Sequence, residues 1–116
     1  FDVYQNPKSI YFVIENDGKI VGGAGIGPIE NADSSICELQ KMYFLSEIRG
    51  LGLGQQIIEI CLENAKKLGY QKCYLETLPT MMAAQNLYKK VGFTNLDAPI
   101  GQTGHCNCPV WMIKNL

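Results

Sequence analysis

The 116-residue chain is predicted to form a single α+β domain, residues 1–116, in which helices pack against a mixed, mostly antiparallel sheet. Three observations predict this fold class. The first half carries β-branched and aromatic runs separated by turn residues, residues 53–68 have helical spacing, and a strand, a helix and two short strands follow. A chain of this length can bury one core and has no room for a second domain.

Three strands are predicted in the first half, at residues 9–15, 20–26 and 36–45. Between the first two lies Asn16-Asp17-Gly18-Lys19, whose turn chemistry predicts a β-hairpin. The second strand is rich in glycine. Glycine weakens a strand, so its repetition here indicates close approach by a ligand or by a neighbouring segment.

The most regular pattern in the chain predicts a helix over residues 53–68. Its apolar residues recur at helical spacing, at Leu53, Ile57, Ile60, Cys61, Ala65 and Leu68. Gly69 follows at the position of a C-terminal glycine cap, and the apolar Tyr70 comes after it.

A second helix is predicted from about residue 79 to residue 90. A buried strand at 72–77 precedes it, and short strands beginning at Phe93 and spanning 109–114 follow it. The residues of this helix expected to face inward are Ala83, Ala84, Leu87 and Val91.

The composition argues against several classes of protein. Its 47% hydrophobic and 18% charged residues are typical of a soluble globular chain. The net charge is −1 and the Lys and Arg residues are scattered, so we expect no nucleic-acid partner. The apolar runs are too short to cross a bilayer and no signal peptide is visible, so we expect no membrane association.

The cysteine pattern indicates reduced, buried thiols in a cytoplasmic protein. The count of five is odd, and Cys37, Cys61 and Cys73 fall inside predicted strands or helices. The remaining two belong to His105-Cys106-Asn107-Cys108. This cluster has no second ligand pair, whereas a closed zinc site needs four ligands, so no metal is expected.

A glycine-rich turn, Arg49-Gly50-Leu51-Gly52-Leu53-Gly54, joins the third strand to the first helix. Three alternate glycines leave backbone N–H groups uncovered at the start of a helix, and no Ser, Thr or Asp caps them. Such a helix end binds phosphate, and Arg49 adds a suitable charge. A turn needed only for tight packing would have the same glycines, so the turn by itself leaves both interpretations open.

Two segments resemble motifs of the GNAT superfamily of N-acetyltransferases. Residues 38–54 resemble its motif A, in which a strand and a short loop precede Q/R-x-x-G-x-G/A. Residues 84–93, Ala-Gln-Asn-Leu-Tyr-Lys-Lys-Val-Gly-Phe, resemble motif B, A-x-x-L-Y-x-x-x-G-F. The motifs have the expected order and separation, and the resemblance covers about residues 9–114. It implies transfer of an acetyl group from acetyl-CoA to a primary amine in a ternary complex.

The resemblance also implies where coenzyme A binds. The strands at 36–45 and 72–77 would splay apart into a V-shaped cleft, with pantetheine along the third strand and pyrophosphate on the amides of the glycine-rich turn. A strand amide near Tyr43 or Phe44 would meet the oxyanion. The implied cofactor-binding residues are Met42, Tyr43, Phe44, Arg49, Gly50, Leu51, Gly52, Leu53, Gly54 and Gln55.

Two catalytic residues are implied by the same resemblance. Glu38 matches a glutamate that serves as base, directly or through water, and Tyr88 matches a tyrosine that donates a proton to the coenzyme A sulfur. A base is useful because an amine with a pKa of about 10.4 loses its proton at pH 7 at a cost of roughly 4–5 kcal/mol. The alternative interpretations are a solvent-facing carboxylate for Glu38 and a core aromatic for Tyr88.

The chain departs from the family pattern at three places. Ser46 stands where proline is common, and Met81 stands near an asparagine that often bonds pantetheine. Only eight residues precede the first predicted strand. We therefore expect the family's N-terminal strand and two helices, which help to form the acceptor pocket, to be absent from this chain, or its acceptor wall to come from elsewhere.

The sequence leaves one alternative to catalysis and disfavours one alternative fold. A non-catalytic GNAT-like module that binds acyl-CoA would keep the pyrophosphate cradle, which is the glycine-rich turn at residues 49–54, and would lack the elements that form the acceptor pocket. A dinucleotide-binding fold is disfavoured, because the spacing is G-x-G-x-G and antiparallel strands precede it. The acceptor, a small-molecule amine or a protein amine, stays open, as does a homodimer. Residues that would line the pocket or a dimer face, or else be ordinary strand and core residues, are Tyr4, Tyr11, Trp111 and Met112.

Overall fold

Six strands and two helices make up the part of the chain that this computed structural model describes, which is residues 8–45, 52–101 and 110–116. The strands are β1 (Ile10–Asn16), β2 (Lys19–Pro28), β3 (Ile36–Phe44), β4 (Lys72–Thr77), β5 (Thr94–Leu96) and β6 (Val110–Asn115). The helices are α1 (Leu53–Lys67) and α2 (Met82–Lys90). One sheet has the order β1-β2-β3-β4-β6-β5, and its β3–β4 pair is parallel while its other pairs are antiparallel. The predicted α+β fold is confirmed.

The predicted elements differ from the observed ones mainly at their ends. Strand β2 runs on to Pro28, and the short strand predicted to begin at Phe93 begins at Thr94. Helix α2 begins at Met82, not near residue 79. A turn precedes it, closed by a hydrogen bond from the Met81 N–H to the Leu78 carbonyl at 3.0 Å. Neither helix is long and apolar enough to cross a membrane.

Helix α1 packs on the sheet with a broad apolar side. Its buried residues are Ile57, Ile58, Cys61, Leu62 and Ala65. The assignment of Ile60 to this side is wrong, since its side chain is 44% exposed. Ile60 lies two positions after Ile58, which is about 200° around a helix of 3.6 residues per turn. An apolar residue at that angle therefore faces away from the sheet.

Helix α2 contributes less apolar surface than predicted. Ala84, Leu87 and Val91 pack against the core as expected, whereas Ala83 is exposed. Gln85 is buried, and its side-chain Nε2 donates to the Leu78 carbonyl at 2.8 Å. A polar side chain can be buried here because this hydrogen bond satisfies it.

Gly69 ends α1 as the sequence predicts. It has φ 97°, and its N–H donates to the Lys66 carbonyl at 3.1 Å. The Tyr70 N–H donates to the Ala65 carbonyl at 3.1 Å, and the Tyr70 side chain is buried. This pair of bonds is a Schellman cap, and it needs glycine at the left-handed position.

The sheet has two unlike faces. The face toward the helices carries apolar side chains of the central strands that belong to one core, namely Cys37, Leu39, Cys73, Leu75 and Met112. Because side chains alternate along a strand, the opposite face carries Glu38 and Gln40 from β3 and Tyr74 and Glu76 from β4. The core thiols of Cys37, Cys61 and Cys73 are buried and free, as predicted.

Candidate active site

A cleft opens between β3 and β4 because their pairing stops before either strand ends. The parallel pairs are Ile36 with Lys72, Cys37 with Cys73 and Glu38 with Tyr74. Beyond the last pair, β3 continues to Phe44 and β4 to Thr77. Two strands that no longer pair leave backbone groups along the gap for another partner. The end of the pairing agrees with the V-shaped cleft that the family resemblance implies.

A β-bulge in β3 bends the strand on its side of the cleft. Strand β3 pairs with β2 through Gln40 and Gly25, and again through Tyr43 and Gly23. Two residues of β3 therefore lie opposite the single Ala24 of β2, and the first of them, Lys41, has φ 52°. A bulge of this kind bends its strand and increases the local twist.

The backbone N–H and C=O of Phe44 are directed into the cleft. Phe44 of β3 lies opposite Gly22 of β2. Next to this pair, the Leu45 N–H donates to the Val21 carbonyl at 2.8 Å. In an antiparallel ladder this pattern makes that pair non-hydrogen-bonded, so the N–H and C=O of Phe44 turn away from β2. The Phe44 side chain packs on the core, as does that of Met42, whereas Tyr43 is 43% exposed on the opposite face.

Helix α1 begins at the open end of the cleft without a side-chain cap. Gly52 is its N-cap, with φ 76°, and the first turn holds no acidic residue. A Cβ on Gly52 would meet nothing within 4 Å. The turn therefore needs glycine for its backbone angle and not for want of space at the Cβ position. Arg49, Gly50 and Leu51, predicted to belong to the cradle, lie outside the described residues.

Gly54 has a different reason to be glycine. A Cβ at this position would lie 3.0 Å from Leu87 Cδ2 and 3.5 Å from the Phe44 ring. Gly54 thus lets α1 approach α2 and β3 closely at the cleft, which is the tight-packing interpretation. Of the other predicted residues, Leu53 is the first residue of α1, and the Gln55 side-chain Nε2 donates to Glu59 Oε1 at 2.8 Å. The Gln55 amide is thus engaged along its own helix.

Glu38 lies at the base of the cleft and is buried, with 2% of its surface exposed. It is the last residue of β3 that pairs with β4, and Gln40 Nε2 donates to its Oε1 at 2.9 Å. The interpretation of Glu38 as a solvent-facing carboxylate is therefore contradicted.

Sequence reasoning missed a second carboxylate beside Glu38. The buried Tyr74 is the cross-strand partner of Glu38, and its hydroxyl donates to Glu76 Oε2 at 2.6 Å. Burial and then this hydrogen bond to Glu76 raise the pKa of Tyr74, and the charge of Glu38 adds to the effect. Alternation within the predicted strand at 72–77 already puts Tyr74 and Glu76 on one face. Alternation within one strand does not show that β4 pairs with β3, which is what brings this face of β4 beside Glu38.

Tyr88 lies on the helical side of the sheet, opposite to the face that carries Glu38. It is 8% exposed and belongs to the hydrophobic core. Burial raises the pKa of its phenol to about 12, so the hydroxyl keeps its proton at neutral pH. The core position predicted as an alternative is therefore observed, and it also leaves the phenol able to donate a hydrogen bond.

The remaining residues singled out from the sequence have mixed positions. Met81 is the N-cap of α2 and is 50% exposed, and no side-chain hydrogen bond caps that helix. Met112 is fully buried core, and Trp111 is partly buried on β6. Tyr11 lies on β1, where it covers part of β2. Tyr4, Ser46 and the cluster of His105, Cys106 and Cys108 lie outside the described residues.

Parallel strands that part beside a glycine turn at a helix start belong to the acyltransferase-type fold that the sequence predicts. Residues 1–93 match the model of the acetyltransferase (GNAT) family, and the chain belongs to that family.

Relatives in sequence are named as N-acetyltransferases. An uncharacterized N-acetyltransferase of Escherichia coli, YjgM, is 44% identical over 116 residues, which is all of this chain and 70% of the relative. An uncharacterized N-acetyltransferase of Schizosaccharomyces pombe is 33% identical over 78% of this chain, but the match spans 55% of that protein. A putative ribosomal protein bS18 alanine N-acetyltransferase of Bacillus subtilis is 32% identical over 78% of this chain and 58% of its own length.

Solved structures show the same fold. An acetyltransferase from Streptococcus agalactiae superposes with a TM-score of 0.85 at 20% identity, over 99% of this chain and 71% of that one. The yncA protein of Salmonella typhimurium, a putative acetyltransferase determined with acetyl-CoA, superposes with a TM-score of 0.80 at 21% identity, over 99% of this chain and 69% of that one.

Proposed function

We propose that this chain transfers an acetyl group from acetyl-CoA to a primary amine, by direct attack of the amine in a ternary complex. The observation that carries the proposal is the end of β3–β4 pairing at Glu38 and Tyr74, which opens a cleft beside an uncapped helix start. Membership of the GNAT family and the coenzyme-bound structures of similar fold support acetyl-CoA as the co-substrate.

The chain's own groups fit this co-substrate at two places. The N–H groups of the first turn of α1, which no side chain caps, suit a pyrophosphate, because a helix N-terminus attracts anions. Arg49, Gly50 and Leu51 complete the proposed cradle. The peptide of β3 from Met42 to Phe44 would pair with pantetheine in the cleft. The bound co-substrate supplies the acetyl thioester.

Glu38 is proposed as the base. Its side chain lies on the face of the sheet opposite the described helices and is 2% exposed, so an acceptor amine would have to reach it along the cleft between β3 and β4. Glu38 would take one proton of the ammonium, directly or through water, and the amine nitrogen would then form a bond to the acetyl carbon. As the C–S bond breaks, coenzyme A leaves as a thiolate and the nitrogen releases its second proton to water. Since the cost of deprotonating an amine at pH 7 is several kcal/mol, roughly 4–5, the base should matter more than the acid.

For the oxyanion, the amide of Phe44 is favoured over that of Tyr43. The Phe44 N–H turns toward the cleft, while the neighbouring N–H groups of Tyr43 and Leu45 turn toward β2. A backbone donor held by a sheet needs no rearrangement when charge develops on the oxygen.

Tyr88 is proposed to stabilise the departing sulfur from the other side of the sheet. Its pKa of about 12 lies above the value near 8.5 of an ordinary thiol. Complete transfer of the phenol proton to a thiolate is therefore uphill. We infer that Tyr88 acts mainly as a hydrogen-bond donor to the sulfur as the C–S bond breaks.

The acceptor is proposed as a class only, a small-molecule amine or a protein amine. The name of the Bacillus subtilis relative makes a protein N-terminus one candidate to test. The free buried thiols of Cys37, Cys61 and Cys73 support a reducing compartment such as the cytoplasm.

Calorimetric titration with acetyl-CoA, followed by a thiol-release assay over a panel of amines, tests the proposal. Saturable binding with release of coenzyme A that depends on an amine supports it. Binding without turnover on any amine would favour the non-catalytic acyl-CoA-binding module, and a folded chain that binds no acetyl-CoA would contradict both.

A further inference from the structure

The hydroxyl of Tyr11 reaches across the sheet to the bulge in β3. Tyr11 lies on the edge strand β1, and its hydroxyl donates to the carbonyl of Lys41 at 3.0 Å. Lys41 is the bulged residue with φ 52°. The hydrogen bond therefore joins two strands that are not neighbours, because β2 lies between them.

Gly23 of β2 makes room for this contact. A Cβ on Gly23 would lie 2.6 Å from the Tyr11 hydroxyl oxygen and 3.0 Å from two ring carbons, closer than real side chains pack. The φ of Gly23 is not positive, so its backbone angle does not call for glycine. The tyrosine ring thus explains why this strand position is glycine.

The bulge at Lys41 lies at the point where β3 turns along the cleft. Lys41 follows the last β3–β4 pair, at Glu38, and directly precedes Met42 to Phe44, the peptide proposed to bind pantetheine. A bulge disrupts the ladder locally, and the carbonyl of its extra residue needs a partner other than the ladder. The Tyr11 hydroxyl supplies a donor to that carbonyl. Burial raises the pKa of Tyr11, with a smaller contribution from Tyr43, so the donor keeps its proton.

We propose that Tyr11 is a positioning residue for acetyl-CoA, acting through the Lys41 bulge and not by contact with the co-substrate. It holds the bend of β3, so that the backbone from Met42 to Phe44 lines the cleft, with the Phe44 N–H turned toward it, in the geometry that the thioester requires. This role rests on the proposed function, since it concerns binding and turnover of acetyl-CoA.

The test compares two variants that each lose a single tyrosine hydroxyl. Tyr11→Phe removes the bond to Lys41, and Tyr70→Phe removes a similar bond, from the Tyr70 hydroxyl to the Lys8 carbonyl at 2.8 Å. We expect Tyr11→Phe to weaken acetyl-CoA affinity about three- to tenfold, the size of one hydrogen bond. Amide hydrogen exchange of Lys41 to Phe44 should speed up to a similar extent. Tyr70→Phe should leave both unchanged.

Gly23→Ala provides an independent second test. Its methyl group would push the Tyr11 ring off the strand, so it should reproduce the effects of Tyr11→Phe on exchange and affinity. In a Tyr11→Ala background, where the ring is gone, Gly23→Ala should have no further effect. The double-variant comparison separates loss of the hydrogen bond between Tyr11 and Lys41 from a general effect of the substitution on β2.

The outcomes distinguish this role from the proposed function. If the wild type binds acetyl-CoA and Tyr11→Phe matches Tyr70→Phe in affinity and exchange, the positioning role is wrong and the proposed function stands. If the folded wild type binds no acetyl-CoA, the proposed function fails and the positioning role falls with it. Faster exchange together with weaker affinity in Tyr11→Phe alone supports the role.

Discussion

The backbone N–H of Phe93 donates to the carbonyl of Tyr88 at 2.9 Å, and the rings of these two residues meet edge to face with centroids 6.0 Å apart. Gly92 lies between them with φ 108°, and its N–H donates to the Lys89 carbonyl at 3.1 Å. This is the Schellman cap of α2. The Gly-Phe pair of the motif therefore ends the helix and fixes the ring of Tyr88 at once.

Tyr88→Phe is expected to lower kcat roughly ten- to hundredfold, since it removes one hydrogen bond to a developing thiolate. The ring contact with Phe93 stays, so acetyl-CoA affinity and melting temperature should change little. Steady-state kinetics, calorimetry and thermal unfolding check this. Tyr70→Phe is the control, because burial raises the pKa of Tyr70 to about 12 as well. An unchanged kcat would assign Tyr88 to the core alone.

Glu38→Gln is expected to lower kcat strongly while leaving acetyl-CoA affinity within about twofold, because removing the base affects proton transfer and not coenzyme binding. Glu76→Gln is the comparison, since Glu76 lies on the same face and accepts from Tyr74. We expect it to have the smaller effect. Turnover with one amine at saturating acetyl-CoA is the measurement, and a fully active Glu38→Gln would remove Glu38 from the mechanism.

Gly52→Asp is expected to abolish measurable acetyl-CoA binding, because it places a carboxylate where the pyrophosphate is proposed to lie. Gly18→Asp is a matched control. Gly18 has φ 78° beside 76° for Gly52, and in both cases a Cβ would meet nothing within 4 Å. The backbone strain is thus similar, and only Gly52 is near the cleft. Equal acetyl-CoA affinities of the two variants in calorimetry would contradict the assignment of the glycine-rich turn as the pyrophosphate site.

The buried thiol of Cys61 predicts a loss of stability in alkali. Burial raises its pKa from 9.0 to about 12, so between these values the folded state holds a proton that the unfolded state releases. The stabilisation is complete below pH 9 and is lost as pH rises toward 12, at about 1.4 kcal/mol per pH unit for one group. Urea unfolding at pH 8 and 10.5 should therefore show a smaller decline for Cys61→Ala than for wild type. Equal declines would contradict this.

The orientation of α1 can be tested with two isoleucines close in sequence. Ile58 is fully buried, whereas Ile60 is 44% exposed. Ile58→Ala should cost about 2–5 kcal/mol of unfolding free energy, and Ile60→Ala should stay within about 0.5 kcal/mol. Denaturant unfolding gives both values. The reverse order would mean that the helix is rotated.

Much of the fold was accessible from short-range patterns. The Asp-Gly turn, the helical spacing after Gly52 and the glycines that end both helices act within a few residues, so they can be read without tertiary information. The exposure of Ile60 and Ala83 could not be read in this way. An apolar or small residue does not reveal which side of its helix the sheet will cover.

The candidate site likewise combines features that local sequence predicts with features that only the tertiary structure sets. The sequence by itself determined which residues carry the family motifs, including Glu38 and Tyr88, because those motifs are local runs of residues. Only the tertiary structure decided that Glu38 is buried beside Tyr74, and that the Tyr11 hydroxyl donates to the carbonyl of Lys41 at the bulge. These relationships join residues on different strands, far apart in the chain. They depend on strand register and on where the bulge interrupts it, which no local pattern specifies.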